Sequence, residues 1–382
     1  MSAPDALLEA VRALRYLEAA RVPDPLLLLY HPPARTNPFQ ALLYGEAWAA
    51  GVAPVPVADL AEAAAIADVA RGRARVALHL HWLAGVTERA ATAEEAAAHA
   101  RAFLDDLDRL RGAGCAIAWT VHNVLPHDAR FVDAAVAVRR GVVERAVLVH
   151  VLGPSTADEV APWFPIPAER LAVIPHPSYA GVYPDATARA AARFALGLWP
   201  DELVFLAFGA IRPYKGIPEL LAAWRATRAV AGPARRLVVA GRPTPGPGTD
   251  ALLAELDVAP GVVALTRRIP PESVGEIFRA ADVAVLSHRA ALNSGVLLLA
   301  LTFGLPVVAP RIPATADLLD ERVARLYDPA DPDGLAGALV RAPALLADGA
   351  AARAREIAAA HEPRAISRRF VDELRRRMAG AG

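Results

Sequence analysis

Short apolar runs alternate with longer amphipathic stretches through almost the whole chain. A parallel sheet needs this alternation, because each parallel strand must be followed by a crossover, usually a helix. In the first half the pattern predicts strands at Leu26–Tyr30, Val52–Val55, Arg75–Leu80, Ala116–Val121 and Val147–Leu152. Helices are predicted over 4–20, from Asn37-Pro38, from Asp59, over Thr92–Arg111, around Phe131–Val143 and, shortly, after Ser155. In the second half strands are predicted at Leu203–Phe208, Leu237–Ala240, Val262–Leu265, Asp282–Leu286, Val307–Ala309 and Val323–Leu326. Helices fall from Pro218, from Pro271, over Val296–Phe303 and from 333 onward. Residues 162–187 are rich in proline and turns, and the part after Ile174 reads as an interdomain linker. The expected organisation is one domain over 1–178, a second over 188–362, and a terminal helix over 363–382.

Length and composition agree with two full cores. The chain has 382 residues, 55% hydrophobic and only 21% charged, which argues against disorder. Its formal net charge of +0 disfavours a nucleic-acid partner, which calls for a concentrated basic surface. One cysteine, Cys115, excludes an intramolecular disulfide and a cysteine-built metal site. Neither a transmembrane run nor a signal-peptide pattern is evident, so a cytoplasmic chain is expected, with peripheral contact at the inner membrane face if the acceptor is lipid-linked.

Two loops carry the strongest chemical signal. The stretch LVFLAFGAIRPYKG runs from a buried strand into a helix through Gly209, Arg212, Lys215 and Gly216. Open α/β sheets bind ligands at such strand-to-helix turns. An arginine fork and a lysine point charge together suit a diphosphate. By itself the loop reads equally well as a solvated surface turn. The second loop, Asn293-Ser294-Gly295, precedes an apolar helix; Ser294 is a good N-cap, and the free N–H groups there favour an anion.

Together, G-x-I-R-x-Y-K-G and S-G followed by A-L-x-F-G-x-P-V-V-A-P resemble the C-terminal half of a GT-B glycosyltransferase. The chain is similar to family 4 enzymes, the glycosyl transferases group 1 superfamily. The resemblance implies an α/β fold of two Rossmann-like, doubly wound parallel-sheet domains facing a central cleft. It assigns the donor diphosphate to Gly209, Arg212, Lys215, Asn293, Ser294 and Gly295, and the nucleoside to backbone near Arg268, Ile269 and Glu272. In such enzymes the terminal helix often crosses back to the first domain. One departure stands out. Family members usually carry two glutamates eight apart before G-x-P-V-V, and here those positions hold Ala291 and Leu299. The chain therefore resembles a subgroup lacking the pair, and an inverting displacement is slightly favoured.

Three first-half loops also match that subgroup: N-P-F at Asn37, H-L-H-W over His79–Trp82, and H-N-V-L-P-H-D over His122–Asp128. All follow predicted strands and so face the ligand side of a parallel sheet. Asp128 and His122 are the candidates for removing the acceptor proton, and Asn37, His81, Trp82 and His127 for lining the acceptor site. Asp128 reads also as a helix cap, and the family histidine matching His122 contacts the donor sugar. His79, His176 and His288 read as structural.

The expected function is metal-independent transfer of a hexose from a GDP- or UDP-sugar to a hydroxyl of a glycan, lipid-linked or small-molecule acceptor, as in polysaccharide or glycoconjugate biosynthesis. No cofactor and no metal are expected, since GT-B enzymes generally use cationic groups instead. Three alternatives stay open: a non-catalytic nucleotide-sugar-binding partner, a nucleotide-sugar epimerase or hydrolase on the same fold, and a nicotinamide enzyme. The last is disfavoured because no G-x-G-x-x-G follows the first strand.

Overall fold

The computed structural model describes residues 5–380 apart from 35, 126–128, 213–214, 228–233, 289–290 and 348. Contacts divide the chain into two units: Met1–Pro177 with Pro363–Gly382, and Ser178–Glu362. The described residues form two six-stranded, all-parallel sheets, one per unit.

In unit 1 the strands are β1 (Leu26–His31), β2 (Val52–Pro56), β3 (Arg75–Leu80), β4 (Cys115–Thr120), β5 (Leu148–Val151) and β6 (Leu171–Val173), in spatial order β2-β1-β3-β4-β5-β6. β6 falls inside the proline-rich stretch 162–187, where the apolar pattern gives no strand. It is a three-residue edge strand paired only with β5, too short to show a period. Strands buried on both faces read as continuous apolar runs, and β1 has Leu26, Leu27, Leu28 and Leu29 all buried. Helix starts follow capping chemistry. Asp5 accepts from Leu7 N at 3.0 Å before the helix Ala6–Ala19, and Thr92 from Glu95 N at 3.2 Å before Ala93–Gly112. Ser155 stands at the cap of Thr156–Val160, but its hydroxyl donates to Glu159 instead of the helix backbone.

The last helix, Pro363–Ala379, belongs to unit 1. Ile366, Phe370, Val371, Leu374 and Met378 repeat on one face and share a core with Leu26, Leu28, Phe39 and Ala118. Phe370 is fully buried, worth about 1.5–3 kcal/mol of transfer free energy. Polar contacts set the register. Ser367 Oγ donates to Leu43 O at 2.8 Å and accepts from Glu46 N at 2.9 Å, and the Glu46 carboxylate takes Arg364 and Arg368.

In unit 2 the strands are β7 (Leu203–Phe208), β8 (Arg235–Ala240), β9 (Val262–Leu265), β10 (Val283–Val285), β11 (Val307–Pro310) and β12 (Ala324–Tyr327), in order β12-β11-β10-β7-β8-β9. Phe205, Leu221, Trp224, Leu237, Val283 and Val308 form its core. Asp282, just before β10, accepts from Val204 N at 2.8 Å and from the buried Arg193 at 2.6 Å, which ties β10 to β7. The start of the unit is pinned by Ser178 N donating to His361 O at 2.7 Å and Tyr179 N to Thr302 Oγ1 at 3.1 Å. No single described helix is long and apolar enough to cross a membrane.

Candidate active site

Each sheet has one place where the chain reverses its direction of winding. In unit 2, β8 and β9 extend from one side of β7, while β10, β11 and β12 extend from the other. The crevice beyond the carboxyl ends of β7 and β10 is therefore the switch point where open sheets bind ligands. Both anion-binding loops predicted from sequence lie there. The β7 turn holds Arg212 and Lys215; the β10 turn leads through Ser294 into the helix Gly295–Thr302. A Cβ placed on Gly209 would lie 3.5 Å from Val296 Cγ2, so the strand end and the helix start are in near contact.

Contacts hold the described residues of the β7 turn at both ends. Gly216 has φ +73°, and a Cβ there would fall 1.9 Å from Ser287 O, so only glycine fits. Ser287 Oγ donates to Lys215 O at 2.9 Å. Arg212 Nε donates to Thr244 Oγ1 at 2.9 Å, which fixes the guanidinium. Burial, and secondarily the Arg212 charge, lower the Lys215 pKa. A bound dianion between these cations would offset both penalties. Ser294 Oγ accepts from Leu297 N at 3.2 Å, capping the helix as its sequence suggests. Asn293 and Gly295 flank it and are partly buried. Arg268 and Glu272 are exposed and Ile269 partly buried, around the start of the helix Pro271–Ala280. At the two positions where the family resemblance implies glutamates, Leu299 is 3% exposed and packs into the core, and Ala291 is partly buried.

In unit 1 the switch point lies between β1 and β3, since β2 extends one way and β4, β5 and β6 the other. His81 and Trp82 follow β3, and His122 follows β4. Trp82 stacks on His122 with ring centroids 4.3 Å apart and planes 17° apart. Phe39 meets His122 edge-on at 5.0 Å. Asn37 is exposed, and its Oδ1 accepts from Phe39 N at 3.0 Å, fixing the start of the helix that supplies Phe39. Asp128 and His127 lie outside the described residues. His176 is buried against Phe39 at 4.9 Å, and His288 is buried in unit 2.

A feature that sequence reasoning missed runs inward from His122. His122 Nε2 is 3.0 Å from His81 Nδ1, and His81 Nε2 is 2.6 Å from Tyr44 OH. Tyr44 OH is 2.7 Å from His79 Nδ1, and His79 Nε2 is 2.7 Å from Thr120 Oγ1. Thr120 Oγ1 is 2.9 Å from His150 Nδ1, and His150 Nε2 is 2.8 Å from Ile174 O. Tyr44, His79, His81, Thr120 and His150 are all buried. Burial pushes the histidines below their ordinary pKa: His150 to about 4, and His79, His81 and His122 well down, with neighbouring histidines adding to the effect. The available signal was a polar residue inside each of three successive apolar strands, β3, β4 and β5. Thr120 pairs with His150, and His79 pairs with Ala118, two residues before Thr120, which places all three on one face.

Comparison with known proteins follows the same lines. The family model described as Glycosyl transferases group 1 matches residues 202–344. The chain is 30% identical over 296 residues to a GDP-mannose:glycolipid 4-beta-D-mannosyltransferase of Xanthomonas campestris pv. campestris, covering 76% of this chain and 74% of that one. The chain belongs to the group 1 glycosyltransferases. This glycosyltransferase is also 40% identical over 163 residues to a D-inositol 3-phosphate glycosyltransferase of Saccharomonospora viridis. That match covers 40% of this chain and only 37% of the relative's length. Sucrose-phosphate synthase from Thermosynechococcus elongatus superposes with a TM-score of 0.70 at 18% identity, over 94% of this chain and all of that one. Anabaena HepE in complex with UDP and glucose gives a TM-score of 0.67 at 15% identity, over 92% of this chain and 99% of that one. The two parallel sheets of the glycosyltransferase are thus those of the GT-B fold.

Proposed function

We propose that this glycosyltransferase moves a hexose from a nucleotide diphosphate sugar, GDP- or UDP-linked, to a hydroxyl of a glycan, lipid-linked or small-molecule acceptor. Unit 2 serves the donor and unit 1 the acceptor. The observation that carries this reading is the pair of cations, Arg212 and Lys215, at the unit 2 switch point, beside a capped helix start. A diphosphate leaving group needs such positive charge, already in place, as the glycosidic bond breaks. The Xanthomonas relative, named for GDP-mannose and a glycolipid, supports a guanine nucleotide and a lipid-linked acceptor.

In the proposed step the acceptor oxygen attacks the anomeric carbon as the bond to the leaving phosphate oxygen breaks. The acceptor proton passes to a base, His122 just after β4 or Asp128. The electron pair stays on the diphosphate, against Arg212, Lys215 and the N–H groups at Gly295. No metal takes part. With leucine buried where the family resemblance implies a glutamate, no carboxylate from position 299 can stabilise the donor sugar, and this favours inversion.

The test is transfer from GDP-mannose and UDP-glucose to a panel of sugar and glycolipid acceptors, with and without EDTA. The expected result is acceptor-dependent release of one nucleoside diphosphate, unchanged by EDTA, with an inverted anomeric centre by proton NMR. Donor turnover without acceptor would instead establish an epimerase or hydrolase. Abolition by EDTA would overturn metal independence.

A further inference from the structure

The chain from His122 to Ile174 allows only one arrangement of its protons when its members are neutral. A carbonyl oxygen cannot donate, so His150 must carry its proton on Nε2, facing Ile174 O. His150 Nδ1 is then an acceptor, and the Thr120 hydroxyl donates to it. Thr120 has no second hydrogen, so its oxygen accepts from His79 Nε2–H. His79 Nδ1 accepts from the Tyr44 hydroxyl, and the Tyr44 oxygen accepts from His81 Nε2–H. His81 Nδ1 accepts from His122 Nε2–H. The reverse order would need at least one imidazolium in a buried position, which the burial-lowered pKa values of His79, His81 and His150 oppose.

We propose that Tyr44, His79, Thr120 and His150 are positioning residues that fix the His122 proton on Nε2 and make Nδ1 its acceptor nitrogen. One backbone carbonyl just after β6, that of Ile174, sets this polarity, and the chain transmits it across three strands. The hydrogen bond at each link also locks the orientation of both rings, His81 through the Tyr44 oxygen and His122 through the His81 ring. That an unprotonated Nδ1 serves as the base for the acceptor hydroxyl rests on the proposed function; the tautomer itself does not.

The experiment uses the full chain labelled with 15N at histidine, and reads each ring by long-range proton–nitrogen correlation without substrate. The expected spectrum shows a pyrrole-type Nε2 and a pyridine-type Nδ1 for His79, His81, His122 and His150. Tyr44→Phe removes one hydroxyl, and with it His81 and His122 move to mixed tautomers. Its kcat falls by about tenfold or more while donor KM holds, since general-base catalysis as a whole contributes roughly 10²–10⁴-fold. Thr120→Val, near in shape, frees the tautomers of His79 and of the rings beyond it while His150 stays protonated on Nε2 against Ile174 O, and Thr120→Ser restores them. A wild-type His79 or His81 protonated on Nδ1 would overturn the proposal. So would a Tyr44→Phe variant whose His122 spectrum and kcat are unchanged. If the tautomers are as stated but no sugar is transferred, the proposed function fails and the chain of protons stands.

Discussion

Replacing Arg212 with alanine lowers kcat by roughly 10²–10³-fold, or about 3–4 kcal/mol of transition-state stabilisation, the loss typical of one pre-positioned donor to a developing anion. The guanidinium is partly buried and held by Thr244, so it spends little conformational entropy when the leaving group departs. Lysine at this position recovers only part of the loss, because a point charge cannot reproduce the planar fork. The fold is little affected, since the bond lost to Thr244 lies at the rim of the sheet. Steady-state kinetics with saturating acceptor, together with a thermal melt, separates these effects. Unchanged kcat and donor KM would remove Arg212 from the site.

Acid unfolds unit 1 before unit 2. His79, His81, His122 and His150 all have folded pKa values depressed by burial, to about 4 for His150. In the unfolded chain each titrates near ~6.5. Below that pH the unfolded chain binds protons that the fold refuses, so stability is full above about 6.5 and declines as pH falls toward the folded values. A histidine that stays neutral in the fold costs about 1.4 kcal/mol for each pH unit below its unfolded value. The four lie in one unit and add in the same direction, so unit 1 is the more acid-sensitive of the two. Hydrogen exchange followed from pH 8 to 4 reads the two units separately. The expected result is early loss of protection in β3, β4 and β5, with β7 and β8 still protected. Equal loss in both units, or a stable unit 1 at pH 4, would contradict the neutral histidine chain.

Most of the architecture was legible because parallel strands buried on both faces are written as apolar runs, as at Leu203–Phe208 and Arg75–Leu80. The helix at Ser294 was legible because capping is local chemistry, and its hydroxyl does accept from Leu297 N. β6 was hidden, since three residues between prolines carry no period. The histidine chain was hidden for a different reason. His79, Thr120 and His150 are far apart in sequence and meet only through strand register, and Tyr44 reaches them from a helix end. A histidine alone in a strand looks like core, and what makes it part of a site is the residue opposite it. Even the missing glutamate pair was readable as an absence, whereas its structural meaning, a leucine packed into the core, needed the fold.

The central claim is that the glycine-flanked turn of Arg212 and Lys215 holds a nucleoside diphosphate. Thermal stabilisation of the chain by GDP, UDP, ADP and NAD, each with and without EDTA, tests it most directly. At a concentration about 100 times its dissociation constant, a ligand adds ~2.7 kcal/mol to the stability of the unit that binds it. The account predicts a clear shift with GDP or UDP, indifferent to EDTA and lost in Arg212→Ala. A shift with NAD alone, or an undiminished shift in Arg212→Ala, would contradict it.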